Sequence, residues 1–432
     1  MADDRIAELV RNRDLLTQTG PGTPGGDLLR RYWQPVSLSH DLPPGGAPQA
    51  VRVLGEELVL FRDEKGRPGL LGIKCAHRCA DLSYGRLEDG GLRCVYHGWL
   101  YDVNGKCLDQ PAEPNGGAKD RIKQLSYPLK EIGGAIWAYM GPGEAPAFPL
   151  YAALTAPDAY RYAIRWPSAC NYLQGNEGNI DPVHTSYLHR FDLKSDPSAL
   201  RNSVGVFQVN TAPKLSVQPT RFGLRIFTER RLPEGDKQIL RVTNFVMPNA
   251  CAIGGYENGL GRGGCTMGWH VPIDDRSHYR YEFIFHSKKP LPRQEIHDGA
   301  LSEWSKELPL RRNPANRYLQ DREEQKGTTF LGLGRQFTIH DIFATESQGA
   351  ILDHTKENLA SCDVAIARAR RMILEGIADM QQGKDPRGIV RTDDEFRDIV
   401  VLTEPLPVDA DIEAFAEQMA NDNIYALDPA LA

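Results

Sequence analysis

The chain has 432 residues, 41% of them hydrophobic and 25% charged, and a formal net charge of −6 at pH 7. This is the composition of a globular protein with enough length for two or three domains. The acidic balance and the scattered Lys and Arg residues argue against nucleic acid as a partner. The chain starts without an apolar leader and has no stretch of about 18 apolar residues, so we expect a cytosolic protein with no membrane partner.

The first predicted elements are short and mostly extended. Residues 27–38, "DLLRRYWQPVSL", predict a short helix that runs into an extended segment. Residues 51–75 alternate aliphatic and β-branched side chains around two turn sequences, which predicts strands joined by hairpins. The sequence "GAIWAYMG" at 134–141 predicts a further strand, and the Pro-, Gly- and Ala-rich stretch from 141 to 160 predicts an interdomain linker.

A larger domain is predicted after the linker. It begins with a polar helix at about 170–190. Alternating apolar residues predict strands of an antiparallel sheet at 223–232, 239–248 and 279–288. An amphipathic pattern predicts a long helix from about 356 to 382.

Two short motifs in the β region each combine a cysteine with a histidine. They are Cys75 and His77 in "CAHRCADLSYGR", and Cys94 and His97 in "CVYHGWLYD". A structural zinc site uses the same residue types, but usually with both cysteines first and both histidines last. A [2Fe-2S] cluster with two cysteines on one iron and two histidines on the other needs one of each on each loop. We therefore predict such a cluster, with zinc as the alternative.

The other cysteines are expected to be free thiols. Eight cysteines in so long a chain are too few for a disulfide scaffold, so thiols or metal ligands are expected instead. Cys79 follows Cys75 by four residues, but the cluster has no position for a third thiol. We predict that Cys79 is a small core residue.

A second candidate metal motif, "NEGNIDPVHTSYLHR", contains Asp181, His184 and His189. On a helix, the first two would share one face, within reach of a carboxylate–imidazole hydrogen bond. The two histidines are five apart and would be rotated by about 140°, so their convergence on one ion would require a π-bulge. The alternative is that Asp181 and Pro182 are the cap and first residue of a helix and that both histidines are surface residues.

The third ligand of such a site must come from elsewhere in the chain. Two histidines and one carboxylate on iron leave adjacent positions open for dioxygen and substrate, as in non-heme Fe(II) oxygenases. The segment "HDIFATESQGAILDHTKE" supplies Asp341, Glu346 and Asp353 as candidates. Surface carboxylates are common at helix starts, so spacing alone does not choose among the three.

With both sites identified, the sequence resembles the Rieske non-heme iron ring-hydroxylating oxygenases, in particular the branch of phthalate dioxygenase and the aromatic O-demethylases. The resemblance covers nearly the whole chain and is carried by "RRYWQPV", "CAHRCADLSYGR", "YHGWLYDVNGKCLDQPAE", "DPVHTSYLH" and "ATESQG...DHTKENLASCD...ARRMI". It implies an α+β fold in which a Rieske β domain is inserted into a catalytic domain with a helix-grip sheet and a long C-terminal helix. We accordingly assign residues 1–39 to an N-terminal segment packing on the catalytic domain, 40–150 to the Rieske domain and 151–432 to the catalytic domain.

The resemblance also implies the ligand sets. One cluster iron would be bound by Cys75 and Cys94 and the other by His77 and His97. The mononuclear iron would be bound by His184, His189 and Asp341. Asp341 is selected because the family's carboxylate stands five residues before a Glu, as Asp341 stands before Glu346.

A third implication is a ring of three subunits, alone or stacked, in which the cluster of one chain lies beside the iron of the next. Asp181 would then sit between His97 of one subunit and His184 of its neighbour and join the two metals by hydrogen bonds. The chain departs from some relatives, which carry an Asn three or four residues before this Asp. This chain has Gly178 and Glu177 at those positions.

The function implied is that of an oxygenase that uses O2 to cis-dihydroxylate an aromatic substrate. Its electrons would come from NADH through a separate reductase, expected to carry a flavin and a plant-type ferredoxin domain. An aromatic carboxylate is expected as substrate, because relatives act on such acids and a buried carboxylate pairs best with an Arg. The candidate arginines are Arg201, Arg221, Arg225 and Arg241.

Three other functions are considered. Within the family, O-demethylation would use the same ligands. From other classes, a Rieske electron carrier would need little more than the first 150 residues, so the long second domain argues against it. A zinc-stabilised binding module is the third.

Overall fold

The computed structural model describes residues 2–115, 117–191, 207–208, 210–233, 235–254, 263–304, 309–392 and 399–425. The helices are α1 (Ala2–Thr17), α2 (Pro24–Arg30), α3 (Ala152–Thr155), α4 (Tyr172–Ile180), α5 (Arg293–Leu301), α6 (Arg322–Gly327), α7 (Phe337–Glu346), α8 (Val364–Gln381) and α9 (Ile412–Asn421). The first ten strands are β1 (Trp33–Leu38), β2 (Gln49–Val53), β3 (Glu56–Arg62), β4 (Pro68–Gly72), β5 (Arg86–Glu88), β6 (Gly91–Arg93), β7 (Leu100–Tyr101), β8 (Cys107–Asp109), β9 (Leu129–Ile132) and β10 (Ala135–Tyr139). The remaining strands are β11 (Arg161–Ser168), β12 (Lys214–Pro219), β13 (Gly223–Arg231), β14 (Lys237–Val246), β15 (Ala250–Gly254), β16 (Gly264–Asp274), β17 (Ser277–His286) and β18 (Leu402–Pro407).

Three small antiparallel sheets form the first part of the fold, in the strand orders β2-β3-β4, β5-β6-β7-β8 and β1-β10-β9. The hairpin between β2 and β3 turns at Leu54 and Gly55, which both have positive φ, as a two-residue hairpin matched to the strand twist requires. The backbone N–H groups of these two residues donate to the carbonyls of Pro272 and Ile273 on β16. The tip of this hairpin is thereby anchored on the second part of the fold, and the strands predicted in this region are confirmed.

The second part is an eight-stranded antiparallel sheet in the order β11-β17-β16-β15-β14-β13-β12, with β18 pairing the first half of β14. The long helix α8 packs on β12 and β13 and against α1 and α2. The shorter helix α4 packs on β15, β16 and β17 and against α7. A long helix held by an antiparallel sheet is the helix-grip arrangement, so the predicted α+β fold is confirmed.

Aromatic side chains join the small sheets to the large one. The ring of Trp137 on β10 stacks on Phe283 of β17 at a centroid distance of 5.2 Å and meets the edge of Trp269 on β16 at 5.0 Å. A buried ion pair of 3.1 Å between Arg165 on β11 and Asp41 lies at the same boundary. The two parts therefore share one hydrophobic core. The domain boundaries at residues 39/40 and 150/151 stay a prediction.

Two helices differ from their predicted extent. The polar helix predicted over 170–190 ends at Ile180, because Pro182 disfavours a helical backbone at the residue before it. The long helix predicted from 356 begins at Val364, after two short 3₁₀ turns. In the described part of the chain, no helix is long and apolar enough to cross a membrane.

Candidate cluster and iron sites

Two loops with the same backbone pattern present the predicted cluster ligands. In the first loop the N–H of Cys79 donates to the carbonyl of Cys75, and in the second the N–H of Gly98 donates to the carbonyl of Cys94. Cys79 and Gly98 therefore occupy equivalent positions, and both have positive φ, 58° and 76°. The prediction that Cys79 is a core residue is wrong. It is an exposed turn residue whose position is dictated by the backbone of the loop.

The four predicted ligands lie with their thiols inside and their imidazoles at the surface. Cys75 and Cys94 are 1% and 3% exposed, within a small hydrophobic core, and Cys75 Sγ lies 3.2 Å from Tyr101 Oη. The rings of His77 and His97 stand at the rim, 4.5 Å apart between centroids. All eight cysteines are free of disulfides. Two thiols and two imidazoles in this arrangement fit the donor set of a Rieske cluster.

The second candidate site begins where α4 ends. Asp181 follows the last helical residue, and its side chain accepts a hydrogen bond of 2.7 Å from the N–H of Val183. The chain then forms a short 3₁₀ turn, His184–Ser186, which brings the ring of His189 to 5.1 Å from that of His184. The prediction of one helical face and a π-bulge is wrong. The helix ends at Ile180, before both histidines, and the irregular backbone that follows brings their rings together.

The structure brings His184, His189 and Asp341 together. One ligand atom of each lies within 4.8 Å of the other two, and no other such group of three is found in the described ranges. Asp341 Oδ1 is 3.1 Å from His189 Nε2 and 3.7 Å from His184 Nε2. Asp181 Oδ2 is 3.7 Å from the opposite nitrogen of His184, Nδ1. Two imidazoles and one carboxylate that converge from the same side fit the donor set of a non-heme Fe(II) site.

The second oxygen of Asp341 is held away from the histidines. Its Oδ2 accepts a hydrogen bond from Arg280 Nη1 at 3.1 Å and a longer one from Asn179 Nδ2 at 3.5 Å. Arg280 also pairs with Glu282 at 2.6 Å. Burial by itself would raise the pKa of Asp341, but the facing His189 and the charge of Arg280 outweigh it and hold the pKa below its ordinary value. Oδ1 is therefore an ionised oxygen directed at the two imidazoles.

The other two candidate carboxylates lie elsewhere. Glu346 is buried at the far end of α7, where it accepts hydrogen bonds from the Ala169 N–H at 2.7 Å and from Tyr318 Oη at 2.6 Å. Asp353 caps a surface turn by accepting from the N–H of Thr355. Neither carboxylate belongs to the group formed by the two histidines.

Sequence reasoning missed the polar residues behind the candidate iron site. Asn179 lies two residues before Asp181, whereas the family pattern pointed to the third or fourth residue before it. Its Oδ1 is 2.8 Å from His270 Nε2, and His270 Nδ1 is 3.0 Å from His278 Nε2. His278 Nδ1 in turn donates to the carbonyl of Cys170 at 2.8 Å. These histidines lie on strands far along the chain, so no spacing in the sequence indicates them.

A cavity of about 450 Å³ opens beside the two histidines and Asp341, within the size range of sites for small organic ligands. Its apolar walls are formed by Ile164, Trp166, Phe207, Ile253, Ile284, Ile296 and Phe337. All the lining residues in the described part of the chain fall between residues 164 and 341, so the two cluster loops contribute none of them.

One of the four candidate arginines lines this cavity. Arg241 on β14 places its guanidinium 4.8 Å over the ring of Phe207, and its buried Nη1 has no hydrogen-bond partner among the described residues. Burial lowers the pKa of Arg241 to about 10, which still leaves it charged at neutral pH. Arg225 is buried but does not line the cavity, and Arg221 is exposed. Arg201 lies outside the described residues.

Comparison with known families agrees with this geometry. The Rieske [2Fe-2S] domain family matches residues 32–128, and the family described as "LigXa C-terminal domain like" matches residues 138–403. The chain belongs to the Rieske non-heme iron oxygenases, as an α-type oxygenase subunit.

Individual relatives show the same relationship. The chain is 36% identical to the phenoxybenzoate dioxygenase subunit alpha of Ectopseudomonas oleovorans, over 87% of each chain. It is 32% identical to the 5,5'-dehydrodivanillate O-demethylase oxygenase subunit of a Sphingobium species, over 88% of this chain and 83% of the relative. Among solved structures, the oxygenase in the reduced oxygenase–ferredoxin complex of carbazole 1,9a-dioxygenase has the same fold. It superposes with a TM-score of 0.56 at 18% identity, covering 90% of this chain and 96% of that one.

Family membership confirms the enzyme class and the two cofactors. The protein is an oxidoreductase of the family that carries a Rieske [2Fe-2S] cluster and a mononuclear iron. The hypotheses of a zinc-stabilised binding module and of a simple electron carrier are not supported, because the match extends across the catalytic domain.

Proposed function

We propose that this chain is the oxygenase component of a system that uses O2 and electrons from NADH, delivered by a separate reductase, to cis-dihydroxylate an aromatic carboxylate. The observation that carries the proposal is the cavity beside His184, His189 and Asp341, which has several apolar side chains in its walls and the guanidinium of Arg241, whose buried Nη1 has no hydrogen-bond partner among the described residues. The buried guanidinium of Arg280 also lines the cavity, but it is already paired with Asp341 and Glu282. A flat apolar ring and a single carboxylate are the chemical features that such a cavity matches.

The ligand roles are part of this proposal. Cys75 and Cys94 would bind one cluster iron through buried thiols, and His77 and His97 would bind the other at the surface. The mononuclear iron would be bound by His184, His189 and Asp341. When bound, this iron supplies adjacent open positions at which dioxygen is activated next to the substrate.

The protein groups around the iron have two further tasks. Arg280 and Asn179 donate hydrogen bonds to Asp341 Oδ2, so Oδ1 would be the oxygen available to bind the iron. The apolar walls, among them Phe207 and Phe337, exclude water and hold the ring of the substrate by contact. Positioning of this kind lowers the activation barrier, because the reacting groups are already held together in the required orientation.

Arg241 would bind the substrate carboxylate. Its guanidinium is charged and partly buried, with a buried Nη1 that has no hydrogen-bond partner among the described residues, and an Arg fork pairs with a carboxylate through two parallel hydrogen bonds. One relative is named as a dioxygenase of phenoxybenzoate, which is an aromatic carboxylate, and this supports the choice of substrate class.

The test is product analysis on a panel of aromatic acids with their neutral amides and methyl esters, using a reductase that reduces the cluster. We expect cis-diol products from acids. Arg241→Met should lower kcat/KM for acids by roughly 10- to 150-fold, the range for one charge-assisted hydrogen bond, and should affect the amides little. Arg221→Met, an exposed arginine in the same region, is the control. Equal turnover of acids and amides by the unaltered enzyme would contradict the carboxylate proposal.

O-demethylation is the second candidate, favoured by the similarity to the dehydrodivanillate O-demethylase subunit. In that reaction one oxygen atom of O2 is inserted into a methyl C–H bond of an aryl ether, and the hemiacetal formed breaks down to a phenol and formaldehyde. The other oxygen atom leaves as water, with two electrons and two protons supplied. Formaldehyde and a phenol from methoxybenzoates, without a diol from benzoates, would identify this activity.

An acidic electron-transfer protein is the proposed partner. The carbazole oxygenase relative forms a complex with a ferredoxin. Beside the Cys75 loop, Lys106 and Lys123 pair across a β-bridge, and the carbonyl of Lys74 accepts from the neighbouring Gln124. All three lysines are exposed, and such a group attracts an acidic partner. Lys106→Glu should slow cluster reduction and flatten its salt dependence, whereas Lys356→Glu, far along the chain, should not.

A head-to-tail trimer is the proposed assembly. Exposed apolar side chains lie beside both metal sites: Tyr84, Val95 and Tyr96 near the cluster loops, and the Tyr187–Phe330 pair beside the iron-binding turn. Patches at two different places on a chain can meet between copies and close a ring. Because the cluster loops contribute nothing to the cavity of their own chain, transfer between neighbouring subunits is the arrangement we propose.

A further inference from the structure

We propose that His340 is a positioning residue for the mononuclear site: it accepts a hydrogen bond from Nδ1 of His189 and thereby keeps Nε2 of His189 free to bind the metal. The inference rests on the proposed function, because it takes His189 to be an iron ligand.

A single turn of helix α7 surrounds His189. Residues at positions i, i+3 and i+4 share one face of a helix, and here they are Phe337, His340 and Asp341. Phe337 packs on the ring of His189, with 4.7 Å between centroids. His340 Nδ1 lies 3.2 Å from His189 Nδ1, while Asp341 Oδ1 lies 3.1 Å from His189 Nε2. The same helical turn therefore packs on one face of the His189 ring, contacts both of its nitrogens and supplies Asp341, which is also a proposed iron ligand.

The carbonyl of Gly334 fixes the direction of the hydrogen bond between the histidines. His340 Nε2 is 3.0 Å from this oxygen, and a carbonyl only accepts, so Nε2 carries the hydrogen. In a neutral imidazole the other nitrogen, Nδ1, then has the lone pair. His189 must donate from its own Nδ1, so that in its neutral form, the form that binds a metal, the lone pair lies on Nε2. Nε2 is the nitrogen that lies 3.1 Å from Asp341 Oδ1.

The two rings are oriented for this hydrogen bond. Their planes differ by only 21°, and their centroids are 5.4 Å apart, against 3.2 Å between the Nδ1 atoms. The difference is close to the sum of the two centre-to-nitrogen distances, so both nitrogens lie near the line between the ring centres. In this arrangement the N–H of His189 is directed at the lone pair of His340 rather than at its π face.

The two proposed iron imidazoles are thus supported differently. His184 has a carboxylate, that of Asp181, 3.7 Å from its Nδ1. His189 has a neutral imidazole that is 0% exposed, so no water is available to replace it. A carboxylate partner raises the basicity of a ligand histidine, whereas a neutral acceptor fixes its orientation without adding charge. Loss of His340 would leave the N–H of His189 buried without a partner.

The test compares His340→Leu with His340→Asn in protein that retains its cluster and has been depleted of mononuclear iron. Fe(II) affinity is measured anaerobically by equilibrium dialysis, and the site is examined by EPR of the nitric oxide complex with the cluster kept oxidised and EPR-silent. We expect His340→Leu to weaken Fe(II) binding by about 10- to 100-fold, the usual effect of losing a partner of a ligand histidine, and to broaden the EPR signal. His340→Asn offers an acceptor oxygen near the position of Nδ1 and should recover much of the affinity.

Two controls separate the possible failures. His354→Leu removes another buried histidine, one that does not line the cavity, and should bind Fe(II) like the unaltered protein. His189→Ala should abolish binding. If His189→Ala binds normally, the proposed iron site is wrong. If His189→Ala loses binding but His340→Leu does not, only the role of His340 is refuted. The same holds if the Fe(II) affinity of His340→Asn or of His354→Leu falls as much as that of His340→Leu. Cluster absorbance and thermal unfolding report whether each variant is folded.

Discussion

Glu177 on α4 and Arg370 on α8 form an ion pair through two parallel hydrogen bonds. Arg370 Nε lies 2.6 Å from Glu177 Oε1, and Nη2 lies 2.7 Å from Oε2. Glu357 binds the same guanidinium at 2.7 Å and 2.9 Å. Because α4 leads directly to Asp181 and the turn that carries His184, this pair connects the long C-terminal helix to the start of the candidate iron site.

Removal of the arginine should be strongly destabilising. Arg370→Met leaves two largely buried carboxylates without their partner, which should lower the free energy of unfolding by about 3–5 kcal/mol. Urea unfolding followed by circular dichroism measures it. Arg371→Met, one residue along, breaks an exposed pair with Glu375 and should cost less than about 1 kcal/mol. Equal losses in the two variants would show that the buried pair has no special importance.

Asp341 is expected to be the only one of the three candidate carboxylates needed for mononuclear iron. Asp341→Ala should lose this iron and all turnover, because it removes one of three ligands, while sulfide and cluster iron stay unchanged. Glu346→Ala should lower stability through the lost bonds to Ala169 and Tyr318 but retain iron. Asp353→Ala should be close to neutral. Metal and sulfide analysis of purified protein checks all three, and iron retained in Asp341→Ala would refute the assignment.

The hydroxyl of Tyr101 should tune the cluster. It lies 3.2 Å from Sγ of Cys75, a proposed cluster ligand, to which it can donate a hydrogen bond that would stabilise the more negative, reduced cluster. If the difference between the two redox states is about 1 kcal/mol, Tyr101→Phe should lower the reduction potential by about 40 mV. Redox titration followed by EPR measures the shift. Tyr84→Phe, an exposed tyrosine between the cluster loops, should leave the potential unchanged. A higher potential in Tyr101→Phe would contradict this role.

Asp181 should be needed for electron transfer rather than for folding. Asp181→Asn keeps the cap on the N–H of Val183 but cannot accept from two imidazoles while keeping its charge. We expect both metal centres to be retained and steady-state turnover to fall by at least about 10-fold. Asp353→Asn is a matched control, because Asp353 caps a surface turn in the same way. Normal turnover in Asp181→Asn would leave only the capping role.

Mixed oligomers should reveal which chains exchange electrons. Cys94→Ala removes the cluster and Asp341→Ala removes the mononuclear iron, so neither variant alone should be active. Co-expressed chains should regain partial activity, because an intact cluster of one chain then faces an intact iron of its neighbour. Sizing of the mixed species and its turnover are the measurements. Mixed oligomers that form but stay inactive would indicate transfer within a single chain.

The sequence by itself determined the class of protein, because its evidence is local. Cys75 and His77 are two residues apart and Cys94 and His97 three apart, and such short motifs on β loops point to one kind of cluster. Alternation of apolar residues likewise predicted seven of the eighteen described strands, β2, β3, β4, β10, β13, β14 and β17. Few backbone angles separate residues that are two or three positions apart, so their relative placement can be predicted from the sequence alone.

Tertiary structure decided everything that depends on residues distant in sequence. The approach of His184 and His189 followed from the break in the helix at Asp181, which the sequence had suggested would be a π-bulge. Spacing left three carboxylates open and the family resemblance selected Asp341, but only the packing of α7 against α4 brings that carboxylate to face the two histidines. Likewise, only the sheet brings Arg241 to the cavity. The physical reason is that these contacts join strands and helices through a shared core. Their geometry depends on the packing of the whole domain and leaves no periodic pattern in the chain.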